Sequence, residues 1–226
     1  MMMARDIQKA IVEILKHSEE ANSFTSTDSL QREILEQVGT TSTKDMFTID
    51  RMQRISLAKK AVEHGAPLGN IVEYMTWKDF EGFVASILSA HHYQCVESFR
   101  RRGTSAMHGM EIDVIGVKGN TLVAIDAKLW GIRRSKASAL KLAAEKQKIR
   151  TNELSNELHK LARKMKGLQK RDYQLFPVIV TWLVEDVELH EGVPVVPIFK
   201  LNSFILDLYK YEDLIATFFG SYDSSD

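Results

Sequence analysis

The chain has 226 residues, 44% hydrophobic and 27% charged, with a formal net charge of zero and one cysteine, Cys95. This is the composition of a globular protein. It excludes a disulfide-stapled scaffold, and no apolar run approaches the length of a membrane span. The first residues, Met1 to Asp6, lack the apolar core of a secretory signal, so the expected location is the cytoplasm.

Neutrality hides an uneven distribution of charge. Residues 1–75 hold nine Lys/Arg against eleven Asp/Glu, net −2; residues 133–171 hold thirteen against three, net +10; residues 172–226 hold two against ten, net −8.

The N-terminal region reads as helical. Ile7, Ala10, Ile11, Ile14 and Leu15 form an apolar stripe over residues 4–20. Phe24 to Ser29 reads as a polar connection, with Ser26 or Thr27 capping a second helix that ends at Gly39. Thr40 to Lys44 reads as a loop, residues 49–64 as a third helix, and residues 69–75 as a short fourth. The net charge of −2 disfavours phosphate contact there. A packing or dimerisation module over residues 1–75 is therefore expected, with an accessory DNA contact as the alternative.

Thr76-Trp77-Lys78-Asp79 has the form of a capping box, which starts the next helix near Trp77. Glu81 falls on the stripe made by Trp77, Phe80, Val84, Ile87 and Leu88. A carboxylate on an apolar stripe needs a partner: a backbone amide at the rim, or a cation. Residues 93–99 read as a strand, followed by a loop that opens with Arg100-Arg101-Arg102. Three arginines there are either a solvated run or a phosphate-holding loop.

Met110 to Trp130 reads as two strands joined at Gly119-Asn120, residues that tolerate positive φ in a two-residue hairpin loop. That register sets Asp113 opposite Asp126 and Glu111 opposite Lys128. It places Glu111, Asp113, Ile115 and Val117 on one face with Leu122, Ala124, Asp126 and Lys128, and Ile112, Val114, Val123, Ile125 and Ala127 on the other. Like charges opposed across strands repel. A divalent cation held by hard oxygens would compensate; so would solvation at a surface hairpin end, with Lys128 paired to Glu111.

After Trp130, taken as a packing residue, residues 135–167 read as a long helical region broken near Thr151-Asn152. Leu154, Leu158, Leu161, Met165 and Leu168 form a short heptad seam suited to the sheet or to a second subunit, so a homodimer is expected. The outer faces are basic, as a phosphodiester partner would require. Residues 175–184 read as a buried, parallel strand, 193–199 as an edge strand, and 202–219 as a final helix. No Walker-type loop, GxGxxG or zinc-spaced Cys/His set is present, so no nucleotide cofactor is expected.

Asp113, then twelve residues, then Asp126-Ala127-Lys128 at the end of an apolar strand, with Glu81 on an upstream helix, resembles the PD-(D/E)xK nuclease superfamily. The local segments Glu111 to Gly116 and Ala124 to Lys128 are similar to forms seen in archaeal Holliday-junction resolvases and Mrr-type endonucleases. The resemblance covers about residues 76–206. It departs in having Asp126 where Glu is commoner and no proline before Asp113.

The resemblance implies a restriction-endonuclease-like α/β core over residues 76–226, a mixed central sheet flanked by helices, preceded by a small all-helical module. It implies a Mg²⁺-dependent deoxyribonuclease, with Mn²⁺ as a substitute. Asp113, Asp126, Glu81 and the Ala127 carbonyl would hold the metal, and Lys128 would act on the attacking water. Arg100, Arg101, Arg102, Arg133, Arg134, Lys136 and Lys141 are the expected DNA contacts. The alternative is an inactive module of the same fold that binds DNA or a protein.

Overall fold

The computed structural model describes residues 2–18, 22–67, 70–71, 73–103, 108–129 and 136–223. The chain forms two compact units, Met1–Phe83 and Val84–Asp226. The boundary falls inside a helix, later than the division at residue 76 expected from sequence.

The first unit is not all helical. Helices α1 (Met2–His17), α2 (Ser29–Gln37) and α3 (Arg51–Glu63) accompany three short strands, β1 (Ser23–Thr25), β2 (Thr41–Thr43) and β3 (Met46–Thr48). The strands form an antiparallel sheet in the order β1-β3-β2. Two segments read as connections are therefore strands. Only Phe24 and Phe47 of these nine residues are buried apolar side chains, so alternation has almost nothing to register. The cap of α2 is Asp28, whose carboxylate accepts from Gln31 N at 2.9 Å, rather than Ser26 or Thr27. The short helix expected over residues 69–75 falls partly on residues outside those described.

Helix α4 (Trp77–Ala90) begins on the expected capping box: Thr76 N donates to Asp79 at 3.0 Å and Asp79 N to the Thr76 hydroxyl at 3.1 Å. Asp79 is also the partner of Arg54, a buried arginine of α3. The Arg54 guanidinium meets Asp79 at 3.1 Å, Leu15 O at 3.0 Å, Ser18 Oγ at 2.7 Å and Tyr74 O. One side chain donating four hydrogen bonds thus ties α1, α3 and the start of α4 together, the condition under which a buried charge is tolerated. Trp77 is exposed rather than part of the buried stripe, and Lys78 Nζ lies 3.9 Å from its ring centre.

The second unit is built on a mixed sheet. In chain order its strands are β4 (Gln94–Arg101), β5 (Met110–Lys118), β6 (Thr121–Lys128), β7 (Arg171–Thr181), β8 (Leu189–His190), β9 (Val193–Pro197) and β10 (Phe218–Tyr222). The spatial order is β4-β5-β6-β7-β9-β8, with β10 also on β7. Pairings from β4 to β6 are antiparallel, and β6-β7-β9 are parallel, as the continuous apolar run of β7 implied. β9 is not the edge, since β8 lies outside it. The last expected helix is shorter: α7 spans Ile198–Leu206, and β10 returns antiparallel to β7.

Helix α5 (Lys136–Ser155) breaks at Asn156-Glu157 before α6 (Leu158–Lys164). The heptad seam faces inward: Leu154, Leu158, Leu161 and Met165 join Ile115, Val117, Leu122, Ala124 and Leu175 in one buried cluster. The seam is used within the chain, which removes the ground on which a homodimer was expected. Among the described residues no helix is long and apolar enough to cross a membrane.

Candidate active site

The hairpin register is the expected one, from Lys118–Thr121 to Val114–Ile125. Gly119 has φ 61° while Asn120 does not adopt positive φ, the pattern of a type II′ turn. The ladder then stops. β5 continues with β4 through Ile112, Glu111 and Met110, while β6 continues with β7 through Asp126, Ala127 and Lys128. The sheet therefore forks between β5 and β6.

Asp113 and Asp126 sit where the fork opens. In a continued antiparallel ladder the Ala127 amide would bond to Ile112. Instead Ala127 N donates to Asp113 Oδ2 at 2.8 Å. The Asp113 carboxylate thus fastens the opening strand across the gap.

Asp126 is buried, 3% exposed. Two cations compensate it. Lys128 Nζ lies 2.6 Å from Oδ2, without the alignment of a hydrogen bond, and Arg150 Nη1 lies 3.3 Å from Oδ1. Arg150 comes from α5, which crosses this face of the sheet and anchors there through Gln147: a fully buried amide donating to Ala124 O at 2.8 Å, its own Oε1 unpartnered.

Other expected residues are placed differently. Glu111 does not meet Lys128. It faces Arg100 across β4–β5 and accepts from that guanidinium at 2.9 and 2.7 Å. The β5–β6 ladder that would have carried it to Lys128 ends at Val114–Ile125, while β5 keeps its register with β4 through Arg100. Beyond it Phe99 and Ile112 join the same cluster as Ile115 and Val117, against the simple alternation.

Arg100 and Arg101 belong to β4, not to a loop. Arg101 is buried and paired with Glu153 at 2.7 Å and Glu157 at 3.2 Å, so it is a core group rather than a DNA contact. Arg102 and Lys141 are exposed. Arg133, Arg134 and Trp130 lie outside the described residues, as does the side chain of Lys136.

Glu81 lies in the first unit, 2% exposed, with Lys78 Nζ at 2.9 Å. Among the described residues no group of three or more His, Cys, Asp or Glu side chains is arranged to hold a metal ion. The fork offers two carboxylates and one buried oxygen, Asp126 Oδ2, with no hydrogen-bond donor. That donor set suits Mg²⁺, which keeps several waters and often takes only one or two protein carboxylates.

Arg150 and Gln147 are the site residues that sequence reasoning did not single out. A signal exists. Leu140, Ala144, Gln147, Thr151 and Leu154 are all fully buried and step by 4, 3, 4 and 3. Polar Gln147 and Thr151 interrupt an otherwise apolar stripe.

The fold and the fork define the second unit as a mixed α/β domain with acidic and basic groups gathered at a split in its sheet. Comparison with known proteins places the chain in a family. It is 31% identical over 137 residues, covering 61% of this chain and 95% of the relative, to an uncharacterized protein of Archaeoglobus fulgidus, and it belongs to the same family. No described protein-family profile matches it. Two solved structures align with low similarity. Protein VC1899 from Vibrio cholerae aligns at TM-score 0.40 and 13% identity, over 93% of this chain and 53% of that one. Can2 from Sulfobacillus thermosulfidooxidans, in complex with cyclic tetra-adenylate, aligns at 0.38 and 12%, over 90% and 52%. The chain spans about half the length of each.

Proposed function

We propose that the protein is a metal-dependent endonuclease that hydrolyses DNA phosphodiester bonds. The observation that carries this reading is the meeting of Asp113, Asp126 and Lys128 at the opening of the β5–β6 fork, with Asp113 bonded to Ala127 N at 2.8 Å and Lys128 2.6 Å from Asp126. The order of these residues matches the superfamily they resemble.

Asp113 and Asp126 would hold Mg²⁺ or Mn²⁺, with the Ala127 carbonyl as a third oxygen and water filling the remaining positions. The bound ion supplies Lewis acidity and a water of lowered pKa. Lys128 orients the attacking water, assists its deprotonation and stabilises charge developing on the phosphoryl oxygens. The exposed lysines of α5, Lys141 and Lys146, neutralise flanking phosphates.

One observation favours a second reading, an inactive module that binds DNA or a protein. Asp126 is already neutralised by Lys128 and Arg150. The two readings separate in a cleavage assay with plasmid, single-stranded and branched DNA in Mg²⁺ or Mn²⁺. Metal-dependent cleavage of any of them supports the endonuclease. Absence of cleavage, with no metal-induced rise in melting temperature, supports the module.

A further inference from the structure

Arg150 reaches the fork cluster from a helix rather than from the hairpin. Its guanidinium is 3.3 Å from Asp126 Oδ1, and its side chain is about one-third exposed, against 4% for the Asp126 side chain. The cation therefore stands between a buried carboxylate and solvent. Gln147, one turn earlier on the same helix, fixes α5 to the β6 backbone through Ala124 O and so sets the depth at which Arg150 enters.

The charge balance gives Arg150 a task. Without a metal, the buried Asp126 carboxylate faces two cations, Lys128 and Arg150. A divalent ion on the same carboxylate adds two positive charges beside them, with two protein cations crowding it. Lys128 is tethered two residues from Asp126 on the same strand. Arg150 has a long side chain, about one-third exposed, so it is the group free to leave. A phosphodiester arriving with the metal offers it a new planar pair of oxygens, the geometry a guanidinium prefers.

Resting on the endonuclease reading above, we infer that Arg150 is a substrate-binding residue that changes partners: it holds Asp126 in place while the site is empty and transfers to a substrate phosphate when a divalent cation takes the carboxylate. Arg150 then opposes metal binding and favours DNA binding. One substitution moves the two affinities in opposite directions, which a purely structural role does not do.

The test uses the full chain, wild type, Arg150→Gln and Arg150→Lys. Mn²⁺ binding is measured by titration calorimetry without DNA. Binding of a labelled duplex is measured in Ca²⁺, across a salt series. Loss of a competing ion pair tightens Mn²⁺ binding by Arg150→Gln about fivefold. The same variant binds the duplex more weakly, and its dependence of log affinity on log salt falls by about 0.9, one phosphate contact. Arg150→Lys keeps the charge and stays close to wild type in Mn²⁺ affinity, while thermal melting in chelator verifies that both variants are folded. If wild type binds Mn²⁺ and Arg150→Gln binds it no more tightly, the partner exchange is wrong and the endonuclease reading stands. If neither wild type nor Arg150→Gln binds Mn²⁺, both fall.

Discussion

The carboxylate of Asp113 accepts the amide hydrogen of Ala127 across the mouth of the β5–β6 fork, at 2.8 Å. A residue expected only to bind metal therefore also closes the place where a backbone ladder gives out. On the proposed reading structure and chemistry share one side chain there, and the two roles can be separated. Asp113→Asn keeps an acceptor oxygen and removes the charge. Asp113→Ala leaves the Ala127 amide unpaired at a partly buried site, costing about 1–3 kcal/mol. Urea denaturation is expected to show Asp113→Ala clearly destabilised and Asp113→Asn less so. Both are expected to lose cleavage.

Arg101 and Glu157 give the account a pH dependence. Burial pushes the Glu157 carboxyl up, but the hydrogen bonds and charges of Lys160 and Arg101 outweigh it and hold the carboxyl below its usual value. A carboxyl whose folded pKa is depressed contributes stability above its unfolded pKa, about 4.3. That contribution is lost as pH falls through the folded value. Glu157→Gln is therefore expected to lower stability at pH 7 and to converge with wild type as the solution is acidified below that range. Arg101→Met, which leaves buried Glu157 with one fewer cation, is expected to cost about 3 kcal/mol at neutral pH. Chemical denaturation at a series of pH values measures both.

The inward seam makes Leu161 a core residue. Leu161→Ala is expected to lower stability by about 2–5 kcal/mol without changing the oligomeric state. Denaturation and light scattering test this together. A change in association with no loss of stability would return the seam to a subunit interface.

Gly220 in β10 is set by close approach rather than by φ. A Cβ there would come within 2.3 Å of Ser155 O, a backbone atom at the end of α5. Gly220→Ala is expected to displace β10 from β7 and cost about 1–3 kcal/mol, the range for overpacking, seen as a lower denaturation midpoint.

The strongest patterns in the sequence carried most of the second unit. The Gly119 turn gave the register, the apolar run of β7 gave its parallel neighbours, and the Thr76–Asp79 box gave the start of α4. What escaped were departures from period. Glu111 went to Arg100 because the β5–β6 ladder ends at Val114–Ile125, and no local pattern announces where a ladder stops. The nine strand residues of the first unit bury too few apolar groups to show alternation. Arg101 read as surface because burial of an arginine depends on Glu153 and Glu157, more than fifty residues away. Arg150 was visible only as one basic residue among many. Its approach to Asp126 is fixed by helix packing, which no local pattern encodes.

The central claim is that Asp126 and Lys128 perform phosphodiester chemistry. The most direct measurement is cleavage of supercoiled plasmid in Mg²⁺ by wild type, Asp126→Asn and Lys128→Met, each shown to be folded by melting and to bind duplex in Ca²⁺. The account predicts cleavage by wild type and its loss, with DNA binding retained, in both variants. Undiminished cleavage by either folded variant contradicts it.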